Sequence, residues 1–166
     1  SDSSLTLESV DLSDNTASNG WSSAYGGAIV ASATTLTIEG SSFEDNYVDG
    51  YGSGGQIYAT DSTVTLSVSL FSGGQASYYG AAMYLVDSNL ELDGSSFSDN
   101  AVSSEDYGRG GAILLDATSA TMANAYFSDN SAGNDGGAVY FDGNGDLAIS
   151  NVTFANSSAD DDGGAL

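Results

Sequence analysis

The run Asp142-Gly143-Asn144-Gly145-Asp146 sets side-chain oxygens at alternate positions with glycine between them. Oxygen donors in that pattern can open a Ca2+ loop, because a hard cation takes hard ligands and the backbone must curl around it. The pattern stops there: Leu147 follows where a further glycine is wanted, and Thr153 stands where the distal Glu would be. A plain Gly/Asn turn between strands explains the run as well. A second carboxylate set recurs along the chain as Asp14, Asp45, Asp99 and Asp129. Such a set could sit in turns, share a Ca2+ ion, or act as paired acid and base on a glycosidic bond. Asp160-Asp161-Asp162 and Glu105-Asp106 read as solvated loops.

Beyond carboxylates the chemical repertoire is narrow. The chain's 166 residues include 23 Asp and Glu against one basic residue, Arg109, for a formal charge of −22. There is no Cys, His, Lys or Pro. That excludes disulfides, thiolate nucleophiles, the His-based triad and general base, and Schiff-base chemistry. Phosphate contacts need cations, so neither nucleic acid nor an anionic membrane surface is an expected partner. A lyase needs a base, and Arg is a poor one. With repeated Asp and no singular constellation, the expectation is a protein that is not an enzyme, with no cofactor other than Ca2+ in prospect. The 40% hydrophobic content, with ten Tyr and six Phe, argues against disorder. No apolar run is long enough for a membrane span.

The elements that position these residues follow from internal repetition. Gly-Gly-Ala-aliphatic occurs at Gly26–Ile29, Gly110–Ile113, Gly136–Val139 and Gly163–Leu166, with degenerate copies at Gly54–Ile57 and Gly80–Met83. Phe-x-x-Asn occurs as Phe43 with Asn46, Phe97 with Asn100 and Phe127 with Asn130. Leu12 with Asn15 is a variant, Phe71 is followed by Gly74 in the Asn place, and Phe154 by Asn156 one position early. From the second small residue to the next Phe is 16 residues four times and 17 once. The return arc runs 15, 12, 10, 14, 10 and 10 residues. One arc is therefore fixed and the other tolerates insertion, as in a stacked solenoid.

Within the fixed arc, Leu5/Leu7, Leu36/Ile38, Val64/Leu66, Leu90/Leu92 and Leu147/Ile149 are apolar at period two, which means strand. The expected fold is all-β: a right-handed parallel β-helix of about six coils, 26–31 residues each, with roughly three short strands per coil. At the usual strand spacing it makes a rod about 29 Å long. Residues 1–166 form a single repeat domain, read as a piece of a longer chain. Inside should run a column of Leu12, Phe43, Phe71, Phe97, Phe127 and Phe154, and another of Ile29, Ile57, Met83, Ile113, Val139 and Leu166. Asn15, Asn46, Asn100 and Asn130 should form a turn ladder whose amides bond between coils. The glycine columns fit a sharp turn or a close backbone approach. If the Ile29 column points inward, the next residues, Val30, Tyr58, Tyr84, Leu114 and Tyr140, point out. That stripe is either a partner-binding face or an ordinary half-exposed strand face covered by the chain's own loops.

Tandem Gly-Gly-Ala-(Ile/Leu/Val) with Phe-x-x-Asn, over nearly the whole chain, resembles the repeats of polymorphic outer-membrane proteins found in autotransporter passengers. Similar repeats occur in many secreted right-handed β-helix proteins. The resemblance implies a surface-exposed β-helix that acts in adhesion. The resulting expectation is an extracellular or cell-surface rod: a stalk, adhesin passenger or filament subunit. Its partners would be other copies, packed laterally or end to end, or surface glycans. The alternatives are a Ca2+-dependent carbohydrate-binding or carbohydrate-active β-helix, and an ice-binding solenoid. For the last, Thr6, Thr37 and Thr65 begin an outward array that Glu91 interrupts. Asn151-Val-Thr153 and Asn156-Ser-Ser158 are sequons that permit N-glycosylation in a secreted setting.

Overall fold

Period-two alternation over five or six residues can bury only one face, so each such segment needs a neighbour above and below with the same pattern. In the computed structural model, which describes residues 3–20 and 22–166, that neighbour is the same segment of the next repeat. Four parallel sheets result. The first stacks Ser3–Glu8, Thr34–Glu39, Thr63–Ser67, Asn89–Asp93, Ser119–Ala123 and Leu147–Ser150. The second stacks Asp11–Ser13, Ser42–Glu44, Leu70–Ser72, Ser96–Ser98, Tyr126–Ser128 and Thr153–Ala155. A third consists of two-residue strands, Thr16–Ala17 through Ser158–Ala159. The fourth stacks Ile29–Ser32, Ile57–Thr60, Met83–Val86, Ile113–Asp116 and Val139–Asp142. Each of the first five coils thus has four strands, one more than the periodicity suggests. The extra one is too short to show an alternation. No helix occurs among the described residues, and none is long and apolar enough to cross a membrane.

The corners between strands explain the fixed arc. Each is turned by one residue with positive φ, a conformation that Gly, Asn and Asp tolerate best. Asp14, Asp45, Asp99 and Asp129, with φ of 52–56°, turn the second sheet into the third, and all four are exposed. Gly73 and Asn156 do the same in the remaining coils. Corners on the path from the fourth sheet through the first to the second are as short, mostly two residues with one positive φ, as at Gly40, Asp61, Asp87 and Gly94, so that path keeps its length. Insertions collect between the third and fourth sheets. The exception is the Asp142–Asp146 run, where an extra residue is taken up: Asp116 pairs with Asp142 but Ala120 with Leu147. The two glycines of each Gly-Gly have different reasons. The first has positive φ, 59° at Gly26 and 62° at Gly136; a Cβ on Gly27 would lie 2.2 Å from the Gly55 carbonyl oxygen.

The interior is built of columns. Leu12 pairs with Phe43, and Phe43, Phe71, Phe97, Phe127 and Phe154 follow in register. Neighbouring Phe rings stack at 4.7–5.0 Å between centroids. Ile29, Ile57, Met83, Ile113 and Val139 form the facing column. Leu166, expected to extend it, lies outside the fourth sheet's strands and is 55% exposed.

Polar ladders close the corners. Asn46, Asn100 and Asn130 are fully buried. Each donates from Nδ2 to a carbonyl of the preceding coil: Leu12, Phe71 and Phe97, at 2.8–3.1 Å. The Oδ1 of Asn46 accepts from the backbone N–H and amide of Asn15, and that of Asn130 from those of Asn100. Two hydroxyl ladders do the same elsewhere. Ser41, Ser69 and Ser95 accept from backbone N–H groups one coil back, as do Ser62, Ser88 and Thr118. These serines escaped the sequence reading, although the signal was present as Ser two places before Phe in three coils.

Candidate functional site

The fourth sheet alternates like the others. Ile113 and Leu115 point into the core, and the residue between them points away. The outward row is Val30, Tyr58, Tyr84, Leu114 and Tyr140, in strict register. Its members differ in exposure. Val30 is 60% exposed, and Tyr58, Tyr84 and Tyr140 are half-buried. Leu114, expected on the open stripe, is 4% exposed. It lies at the floor of a small pocket walled by Tyr79, Tyr84, Tyr140 and Arg109, with Asp116 and Asp142 on its rim.

That pocket exists because a second row lies beside the first. Tyr25, Ser53, Tyr79, Arg109 and Asp135 pair in parallel as isolated bridges. Each immediately precedes the first glycine of its motif, and that turn sets it against the fourth sheet. This row was missed in the sequence, where only its fixed place before Gly-Gly marks it. Together the rows make a tyrosine surface. Tyr25 stacks on Tyr58 at 4.5 Å, Tyr58 meets Tyr84 at 5.3 Å, and Tyr84 meets Tyr79 at 5.3 Å. Tyr79 meets Tyr78, which touches Tyr51 and Tyr107 in the variable loops. The ring contacts thus continue from the fourth sheet into the variable loops.

Electrostatics mark the same place. Arg109 lies with its guanidinium 5.0 Å from the Tyr140 ring centroid and pairs with Asp135 at 3.1 Å. The Tyr84 hydroxyl is 3.5 Å from the Asp116 carboxylate. Burial, then the nearby Asp116 charge, pushes the Tyr84 phenol well above its ordinary value. Tyr58 is raised as well, by burial first and then by its neighbour Tyr25. Both rings are therefore neutral hydrogen-bond donors at any physiological pH.

The other expected residues lie elsewhere. Asp142 ends a fourth-sheet strand and accepts from the Gly143 N–H at 2.8 Å. Asn144 is exposed, and the Asp146 backbone N–H donates to Ser119 Oγ at 3.3 Å. Among the described residues no three carboxylates gather closely enough to hold a metal ion. Asn151 and Asn156 are exposed corner residues with positive φ; the Asn151 amide donates to Asn124 at 2.6 Å. On the first sheet, Thr6, Thr37 and Thr65 align with Glu91, Thr121 and Ala148, so the threonine row is broken twice.

Residues 124–145 match the repeat of Chlamydia polymorphic membrane proteins. That stretch holds Phe127 with Asn130 and the Gly136–Val139 motif, whose register positions recur in the other coils. The match and the parallel solenoid together fit a repeat protein of this kind, and the repeat suggests a β-helix displayed at an outer membrane or cell surface. No curated protein and no solved structure matches the chain.

Proposed function

We propose that this chain is a rigid segment of a surface-displayed β-solenoid, and that it works by adhesion through the tyrosine face of its fourth sheet. The observation that carries this reading is the connected ring surface that runs from Tyr25 through Tyr58, Tyr84 and Tyr79 into the loops. Folding requires like residues to stack in the interior, but it does not require aromatic rings to gather outside. The first sheet manages its outward rows with Ser, Thr and acids. Tyrosine offers large contact area for little lost side-chain entropy and is enriched where binding energy concentrates. The Ser62, Ser88 and Thr118 ladder ties successive coils together at the corner where the fourth sheet ends, which holds the strands of this face in register and preorganises it. The repeat match, which suggests surface display, supports the same reading.

Retention of beads coated with the chain on cultured-cell surfaces tests it. The paired change Tyr58→Ala with Tyr84→Ala should lower retention about tenfold, as expected for loss of aromatic anchors, while the strand-type circular dichroism persists. Equal retention by the altered, still folded chain would overturn the reading.

A further inference from the structure

The chain's single cation shows what this face accepts. Arg109 rests on Tyr140 and reaches Asp135, so its charge meets a ring face and a carboxylate at once. One coil back from Arg109 a tyrosine again stands beside a carboxylate, on the far side of the pocket that Arg109 also lines. Tyr84 stands beside Asp116, and Asp116 is one ladder step from Asp142. The Tyr58 ring lies between Tyr25 and Tyr84. Leu114 at the pocket floor offers an apolar rest for an aliphatic stem.

We infer that the tyrosine face docks a basic segment of another protein, whose arginine or lysine heads lie against Asp116 and Asp142 and whose aliphatic stems run along Tyr58 and Tyr84. This rests on the adhesive reading above and names the partner's chemistry. Charge complementarity selects the occupant. A chain of net charge −22 draws cationic segments toward it and repels anionic ones. A second copy would bring the same −22 and an Arg109 already engaged. A neutral glycan would stack on the rings and offer hydroxyl donors to the rim carboxylates, but it carries no charge to offset theirs. A guanidinium or ammonium group uses rings and carboxylates together.

Fluorescence anisotropy with the intact chain and a labelled Arg-Gly repeat peptide tests this, with a Gln-Gly peptide of equal length as control. The Arg-Gly peptide should bind, weaken with added NaCl, and outcompete the Gln-Gly peptide. Tyr58→Leu with Tyr84→Leu leaves the net charge unchanged and should weaken binding about tenfold, whereas Tyr→Phe at both sites should preserve it. Asp116→Asn with Asp142→Asn should weaken it comparably. Glu39→Gln with Glu91→Gln removes equal charge from the first sheet and should change it less than about twofold. Equal binding by the Leu variant would reduce the effect to diffuse charge and overturn the inference, as would no binding of the Arg-Gly peptide. If bead retention still depended on Tyr58 and Tyr84 in either case, the adhesive face would stand and its partner would be of another class, such as a glycan. If neither assay depended on the tyrosines, both readings would fall.

Discussion

At the scale of single residues, the third coil shows how a repeat tolerates a lost member. Gly74 stands where its neighbours have Asn, and Gln56 stands where other motifs have Ala. A Cβ on Gly74 would lie 2.8 Å from the Gln56 Nε2, so the Gln56 amide fills the space of the absent Asn side chain. From there it donates to the Ser72 carbonyl at 2.8 Å and to Asn100 Oδ1 at 3.4 Å. The two departures from the motif are one substitution shared between coils. Gly74→Asn alone should cost about 2 kcal/mol through overpacking, and Gln56→Ala alone about 1–3 kcal/mol through unpaired buried groups. Together they should cost less than the sum, with a coupling of about 1–2 kcal/mol in urea denaturation. Strict additivity would show that the amide does not substitute for the Asn. Both positions stand out in the sequence as irregular copies, but their relation does not. They are 18 positions apart in the chain, and only the stacking of coils brings them together.

At the scale of elements, corner chemistry divides each repeat into a rigid arc and a free one. Arc lengths alone reveal this division, because two-residue corners leave little room for insertion, and only the Asp142–Asp146 run takes up an extra residue. Two residues added after Asp106, in the exposed loop between the third and fourth sheets, should change stability by less than about 1 kcal/mol. One residue added between Gly94 and Ser95 should cost about 4 kcal/mol or more, because a one-residue slip turns inward side chains out. Thermal unfolding of the two variants distinguishes them, and equal loss from both would mean that the loop is as constrained as the arc. The two-residue third sheet and the serine ladders were harder to see. A two-residue strand has no period, and a buried Ser looks like any surface Ser until the backbone N–H it serves is placed one coil away.

At the scale of the molecule, the charge clothes the rod rather than defining a centre. The buried core is apolar, with its polar residues confined to neutral Ser, Thr, Asn and Gln, while the corner carboxylates of Asp14, Asp45, Asp99 and Asp129 face solvent. Stacking still sets acids of neighbouring coils near one another, and one arginine cannot offset them. Raising NaCl from low to about 0.5 M should therefore raise the melting temperature by about 5 °C, since screening weakens repulsion between exposed like charges. A flat response in calorimetry would show that the charges are far enough apart to ignore one another. The sequence by itself determined the coil length, the strand direction, the Phe and Asn columns and the outward tyrosine row. Parallel stacking pairs each position with its own copy, so columns can be read as spacing. The tertiary structure alone decided that Leu114 is covered, that Tyr25, Tyr79 and Arg109 stand beside the stripe, and that Gln56 serves the coil after its own. Those contacts run sideways between strand, loop and neighbouring coil. Their geometry depends on the path of segments whose length varies, which no repeat period encodes.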